Sequence, residues 1–436
     1  MRRGPTRSFV HLTRQAILSV TFSMLFVLTI ISTCAVQAQT FSVIHTFTGG
    51  GDGANPAAGL TLDGGGHLYG TTYFGGHDRG NCTGTGCGTV YKLSYKSEWI
   101  FTRLYPFTGT GDGSNPNSKV VIGSDATLYG STDLGNNVYN LKPPPTSPPS
   151  ANASWTIRLV YQFGSVGDGN HPRGSLAFAA GRTIYGTTYS GGGNWNLCGG
   201  TGCGRVYELT PSEGGWTETP LYDFTGQADG SYPAGGVIFD HSGNLYGTAS
   251  QGGPSQFGVV FELTNSSGWQ ENTLYGFQGG SDGAFPLAGL IFDQSGNLYG
   301  ATSSGGAANG GTVFSLTLVS GNWTSNLLSS LDGSSGSTGP MNSLIMDSAG
   351  NLYGTTYSDG AFGFGNVFEL TLSGGNWTYT SLYDFTGGSD GAYPVGGVTL
   401  DANGNLFGTT YAGGSTGSFC DVNFSHQCGV VFEITP

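Results

Sequence analysis

Charge is what this chain has least of. Only 9% of its 436 residues are Asp, Glu, Lys or Arg, and just 14 are basic. Four of those 14 (Arg2, Arg3, Arg7, Arg14) precede residue 38, leaving 10 basic against 27 acidic residues, a balance of −17. That field disfavours a nucleic-acid partner or an anionic membrane surface. It suits cations, neutral glycans or a basic partner. Helical apolar periodicity is also missing. Without helices, no Gly-x-Ser-x-Gly elbow can form, and the Gly-rich loops lack the helix N-terminus of a phosphate cradle. Histidine is sparse: His45, His67, His77, His171, His241 and His426 fall in different stretches without metal-ligand spacing. No catalytic residue stands out, and no cofactor or metal is expected from these patterns.

Long hydrophobic runs are confined to one place. Ala16 to Ile31 is apolar and uncharged, follows the four arginines, and precedes Val36-Gln37-Ala38. This is a secretory signal pattern with cleavage expected after Ala38. An uncleaved anchor is the alternative, but the run is short for a spanning helix. The expectation is therefore a signal peptide over 1–38 and a secreted, periplasmic or cell-surface domain over 39–436, monomeric and not membrane-inserted. Beyond the signal, six cysteines remain in local pairs: Cys82/Cys87, Cys198/Cys203 and Cys420/Cys428. An even count, local spacing and export make disulfides the expectation, each stapling one loop just before an apolar strand. Because these loops differ between copies, they also count among the places where function is expected.

Glycine is what the chain has most of, with 80 residues. The glycines recur in a repeated unit whose best copies read Gly-Asn-Leu-Tyr-Gly-Thr-Thr. The aromatic-Gly pairs start at Tyr69, Tyr129, Tyr185, Tyr246, Tyr299, Tyr353 and Phe407, spaced by 60, 56, 61, 53, 54 and 54 residues. Each unit holds four short apolar runs separated by Gly, Asn, Ser and Asp. In one copy these are Gly236–Asp240, Leu245–Thr248, Val259–Leu263 and Trp269–Phe277. Seven such units predict an all-β fold, a seven-bladed β-propeller of four-stranded antiparallel blades. The Gly after each aromatic is expected to allow close approach between backbones of adjacent blades. Residues 41–47 match a fourth strand and residues 430–434 a third, so the N-terminal strand is expected to close the last blade. A rival phase makes 41–93 a complete blade. The second copy carries a Pro-rich insertion over 142–154, and the sixth lacks the aromatic pair of its fourth strand.

The unit, with Asp-Gly-x-x-Pro, Gly-Asn-Leu-Tyr-Gly-Thr-Thr and Val-Phe-Glu-Leu-Thr, resembles the GloVer (Gloeo/Verruco) tandem repeat of exported bacterial proteins. The resemblance runs over about 41–436. It implies a secreted or surface repeat protein and carries no catalytic residues.

Candidate chemistry lies in the Asp-Gly-x-x-Pro loops, at Asp52, Asp112, Asp168, Asp229, Asp282 and Asp390. The sixth copy has Gly336 in that position. Six carboxylates near the axis would attract a hard cation such as Ca²⁺. The competing explanation is turn chemistry, with each Asp accepting backbone N–H bonds. The residue before Pro varies: Asn55, Asn115, His171, Tyr232, Phe285 and Tyr393. Variation inside a fixed frame can build a recognition surface, and His171, Tyr232, Phe285 and Tyr393 are its candidate binding residues. The expected function is a non-catalytic binding or interaction module for glycan or protein. The alternatives are a polysaccharide hydrolase or lyase with carboxylates at the axial mouth, and a structural envelope repeat protein.

Overall fold

The computed structural model describes residues 39–76, 81–82, 84–145, 154–164, 167–179, 182–265, 268–333 and 339–436. The expected export signal, most of the Pro-rich insertion, His77 and Gly336 lie outside the described residues. Seven four-stranded antiparallel sheets form the blades of a β-propeller. Blade four shows the pattern, with strands Ile238–Phe239, Leu245–Ala249, Val259–Asn265 and Trp269–Gly276. The strands are numbered one to four outward from the axis.

The first strand is two residues long, not the five that Gly236–Asp240 suggested. Its approach is squeezed at the axis: a Cβ on Gly235 would lie 2.7 Å from Gly289 N, and one on Gly236 2.2 Å from Ser175 O. Backbones that crowd an axis this closely cannot also run as a long ladder.

The Gly of each Tyr-Gly pair has a different cause from the one expected. Gly247 pairs with Phe261 of the third strand of its own blade. A Cβ there would meet that ring at 2.6 Å. All seven copies repeat this, with contacts of 2.3–2.6 Å to Tyr91, Tyr139, Tyr207, Phe261, Phe314, Phe368 and Phe432. The glycine makes room for a cross-strand ring, not for a neighbouring backbone. These rings fill the wedges between blades. Phe261 packs edge-on against Phe224 at the end of blade three, and Phe432 against Phe385 at the end of blade six. Tyr91, Tyr139 and Tyr207 bury hydroxyls with no partner where four copies carry Phe.

The ring closes as the chain ends suggested. Thr40–Thr46 lies beside Val430–Thr435 as the outer strand of blade seven. Phe47 N–H donates to Gly429 O at 3.1 Å, the same bond that Phe277 makes to Gly258 and Phe385 to Gly365. Phe41 stacks on Tyr383 of blade six at 3.7 Å. The Gly-rich loop of blade seven also forms an unforeseen short strand, Thr416–Asp421, that folds back on Gln427.

All three expected disulfides form: Cys82–Cys87, Cys198–Cys203 and Cys420–Cys428, each within a loop between strands two and three. Each closes one loop as expected, and the structure adds how deep the sulfurs lie. Cys87, Cys203 and Cys428 are completely buried and Cys420 is 1% exposed. Cys87 belongs to the apolar cluster of Val90, Phe107 and Tyr139, and Cys428 with Cys420 to that of Phe47, Ala54 and Tyr91. Cys203 joins Val206 and Phe224 in the same way. The cause is the step from loop to third strand: the second cysteine of each pair stands just before that strand, where the chain turns into the wedge between blades. These four cysteines are core and not available as a binding surface, whereas Cys82 and Cys198 are half-buried.

Candidate functional site

Each blade sends two loops to the same end of the ring: the Asp-Gly-x-x-Pro loop leading in from the preceding outer strand, and the loop between strands two and three. One hydrogen bond ties them together. The carbonyl of the residue before Pro accepts the N–H of the residue four beyond the Tyr-Gly aromatic. Tyr73 N–H donates to Asn55 O, Asp133 to Asn115, Tyr189 to His171, Ser250 to Tyr232, Ser303 to Phe285, Tyr357 to Gly339 and Tyr411 to Tyr393, at 2.9–3.3 Å. Two variable positions are thereby brought side by side seven times.

The first of these positions is conformationally unusual. Asn55, Asn115, His171, Tyr232, Phe285 and Tyr393 all have φ between 54° and 58°. This left-handed region suits Gly and Asn, and costs other residues about 1–2 kcal/mol. The conformation is held from both sides. The buried cysteines supply one anchor in three copies: Asn55 N–H donates to Cys428 O at 2.7 Å, Asn115 N–H to Cys87 O at 2.8 Å and Tyr232 N–H to Cys203 O at 2.7 Å. Phe364 O takes the same bond from Tyr393 N–H at 2.7 Å, and Phe257 O from Phe285 N–H at 2.9 Å.

The second position carries Tyr73, Asp133, Tyr189, Ser250, Ser303, Tyr357 and Tyr411. Their side chains converge across blades. Tyr73 Oη donates to Asp133 Oδ2 at 3.2 Å. Asp133 also takes His171 Nδ1 at 2.8 Å and Arg173 Nε at 3.0 Å. The Asp133 side chain is only 4% exposed, while His171 and Arg173 keep 33% and 35% of theirs in solvent. The acid is thus a buried hub that orients two partly exposed donors. Burial would raise its pKa, but the hydrogen bonds from His171 and Arg173 outweigh that and hold it below the ordinary range. Arg173 lies over the Tyr189 ring at 4.7 Å, and Tyr189 stacks on Tyr232 at 5.0 Å. On the other side Tyr393 packs with Tyr357, Phe364 and Phe424, and Tyr411 with Phe424. Tyr411 Oη donates to Asp421 at 2.9 Å. Burial, then Asp421, then the Tyr73 and Tyr357 phenols raise the Tyr411 pKa, so its hydroxyl stays a donor. Blades four and five contribute only Ser250 and Ser303 to this row, whose hydroxyls bond back to Tyr232 O and Phe285 O. The mouth is therefore an aromatic arc with a gap.

Deeper in the axis stands Lys119, at a position held elsewhere by Gly59, Ser175, Gly236, Gly289, Ser343 and Gly397. Its Nζ reaches Thr399 Oγ1 of blade seven at 3.3 Å, and desolvation pushes it down to about 8.

The six candidate aspartates sit elsewhere. Each braces its own loop against the outer strand it follows. Asp229 accepts Thr225 N–H at 2.7 Å, Thr225 Oγ1 at 2.6 Å and Tyr222 Oη at 3.0 Å. Asp112, Asp282 and Asp390 repeat the pattern with Tyr105, Tyr275 and Tyr383. Asp168 uses Tyr161 and Gly164 N–H, and Asp52 uses Thr48 with His45 3.4 Å away. Their carboxylates face the outer strand, not the axis, because the residue seven earlier, Tyr in five copies and His45 for Asp52, lies on that strand. Among the described residues no group of three acids, histidines or cysteines is placed to hold a metal ion. Of the four candidate binding side chains, His171, Tyr232 and Tyr393 join the mouth, and Phe285 packs on Phe257 at 5.9 Å.

The cystines support this frame from below. The sulfurs of Cys82–Cys87, Cys198–Cys203 and Cys420–Cys428 pack against Gly109, Gly226 and Gly49 of the adjoining Asp-Gly loop. Phe257 and Phe364 take the same place against Gly279 and Gly387. A cystine and a phenylalanine thus serve one purpose, as floor for the neighbouring loop.

A family profile described as the Gloeobacter/Verrucomicrobia repeat matches residues 149–293 and 270–436. The chain belongs to this family. No curated protein matches its sequence. Among solved structures, a streptogramin B lyase matches with a TM-score of 0.54 at 12% identity, covering 91% of this chain and 97% of that one. The WD40 β-propeller domain of Doa1 matches with a TM-score of 0.50 at 12% identity, covering 90% and 96%. At such identity the likeness concerns the fold alone. Family membership agrees with the repeat anatomy, and the variable mouth is where this member departs from its own repeat.

Proposed function

We propose that this family member is an exported binding module whose axial mouth takes a neutral, hydroxyl-rich ligand such as an extracellular glycan. The observation that carries this is the convergence of two variable positions from every blade on one end of the ring. Stacked tyrosines offer ring faces, protonated phenols and serines offer hydroxyls, and His171 and Arg173 offer partly exposed donors. The three cystines agree with an oxidising compartment. A glycan array should give hits that Tyr357→Ala weakens and a far-end substitution leaves unchanged. Equal loss from both substitutions would sink the reading. Among the described residues, the His171–Asp133 pair favours a polysaccharide-active enzyme instead, since a buried carboxylate fixes a partly exposed imidazole. Product release from any array hit, abolished by His171→Ala, would replace the binding module with that enzyme.

A further inference from the structure

Between the end of blade five and blade six lies a cavity of ≈ 610 Å³. Asp332, Asp359, Asp384, Asn366, Tyr379 and Ser381 line it, and among the described residues no basic side chain does. Its residues are placed by the repeat, so the same location can be compared around the ring.

In blade three that location is filled from within. Arg205 stands where blade six has Asn366: each opens the third strand, Arg205 opposite Asp223 and Asn366 opposite Asp384. The Arg205 guanidinium bonds Asp223 Oδ1 at 2.6 Å, Glu218 Oε1 at 3.2 Å, Asp168 O at 2.7 Å and Gly167 O at 3.2 Å. Tyr379 occupies the register of Glu218. Blade one uses a guanidinium in the same gap from another position, with Arg103 Nη1 donating to Gly51 O at 2.8 Å and Gly76 O at 3.0 Å. Twice in one chain, this niche holds an arginine head.

Blade six keeps the acid, Asp384, and loses the arginine. It also gains carboxylates. The other six copies have Gly at the position of Asp359: Gly75, Gly135, Gly191, Gly252, Gly305 and Gly413. In five of them a Cβ would strike the glycine of the preceding Asp-Gly pair at 2.4–2.8 Å. The sixth copy has no Asp-Gly pair there, and Asp359 takes the place, 4% exposed. Asp332 likewise replaces the Thr that caps the bracing Asp in blades such as Thr386 in blade seven. Burial first, then Asp332 and Asp384, raise the Asp359 pKa against the Gly360 N–H bond, as three acids without a counter-cation require.

We infer that this cavity is a binding site for an alkyl-guanidinium group, the head of an arginine side chain supplied from outside the chain. Asp384 provides the carboxylate that Asp223 provides in blade three, and Asp359 and Asp332 add the charge that draws the cation in. Planar guanidinium matches carboxylate in a paired geometry that ammonium lacks.

The test is an NMR titration of the intact domain with ethylguanidinium, using trimethylammonium and Ca²⁺ as controls. Saturable shifts are expected at the lining residues with ethylguanidinium. Asp384→Asn should weaken binding about tenfold or more, since a hydrogen bond to a charged group is lost. Asn366→Arg should abolish binding by filling the niche as Arg205 does, while unfolding no earlier than wild type. Absence of lining shifts, binding unchanged in Asn366→Arg, or displacement of ethylguanidinium by Ca²⁺ would overturn the assignment. Should Asn366→Arg misfold, Asp359→Gly, the residue of the other six copies, gives the same discrimination.

Discussion

The two ends of the ring come from one repeat, and they have diverged to different degrees. At the far end, Asp240, Asp293, Asp347 and Asp401 each accept the N–H two and four residues on, at 2.8–2.9 Å. Three of these also take the Asn side chain at 2.9 Å and one at 2.7 Å. In these four blades sequence and geometry are fixed together, while blades two and three close the same turn with Gly123 and Ala179 in the Asp position. At the mouth only the geometry is fixed. The same left-handed backbone carries Asn, His, Tyr or Phe, because hydrogen bonds on both sides impose the conformation regardless of the side chain. The contrast teaches that constraint at the far end is local turn chemistry, whereas the mouth holds a frame in which side chains can be exchanged.

That contrast can be broken or sharpened experimentally. The largest effect is expected from removing residues 40–47, which takes away the frame for both ends. It deletes the fully buried Phe47 and leaves the Val430–Thr435 edge unpaired. The midpoint of thermal unfolding should fall by about 10 °C or more; an unchanged melt would show that the seam is dispensable. Next, Tyr357→Ala at the mouth should weaken a bound glycan by about 2 kcal/mol, read by calorimetry. Asp293→Ala at the far end should lower stability by about 1 kcal/mol by releasing two backbone donors, and should leave glycan affinity unchanged. Between the ends, Tyr207→Phe should raise stability by about 1 kcal/mol in denaturant melts, since it removes an unpartnered hydroxyl and restores the residue of four other copies.

The smallest effect is a difference of sign with pH. Hydrogen bonds hold Asp63 and Asp293 at the far end below their ordinary range despite burial. Their contribution is present above about pH 4 and lost as pH falls through their folded values. Glu218 and Glu271 on the outer strands behave oppositely, as burial pushes each up to about 7. The folded state then holds protons that the unfolded state releases from about pH 4.5, so stability falls as pH rises from about 4.5 to 7. Equilibrium unfolding should be steepest in favour of the fold near pH 5, and Glu271→Gln should flatten the decline above it.

Much of this is legible in the chain. Seven aromatic-Gly pairs count the blades, and the match of residues 41–47 to a fourth strand places the seam. The three cystines follow from spacing, yet the full burial of Cys87 and Cys428 does not, because only the wedge between blades sets their depth. The residues before Pro are visible as variable positions, and three of the four candidates among them stand in the mouth. Their partners are hidden. Tyr73, Tyr189, Tyr357 and Tyr411 follow Tyr-Gly-Thr-Thr and read as one more strand residue; only the cross-loop hydrogen bond sets them beside the Pro loops. A signal exists, since that position alternates among Tyr, Asp and Ser inside a fixed motif. The bracing aspartates read as turn formers near the axis, because their Tyr partner lies seven residues away on another element. The sixth copy shows the link: it lacks the Asp, with Gly336, and the Tyr, with Ser329. The cavity of blade six is illegible because Asp332, Asp359 and Asp384 are ordinary acids until the register of Arg205 shows what the niche can hold.

The most direct test of the central claim is hydrogen–deuterium exchange on the intact domain with and without a glycan found on the array. Protection should concentrate on the loops that carry Tyr73, Asp133, Tyr357 and Tyr411, with the turns at Asp240, Asp293, Asp347 and Asp401 unchanged. Protection of those far-end turns, with the mouth loops unaffected, would contradict the account.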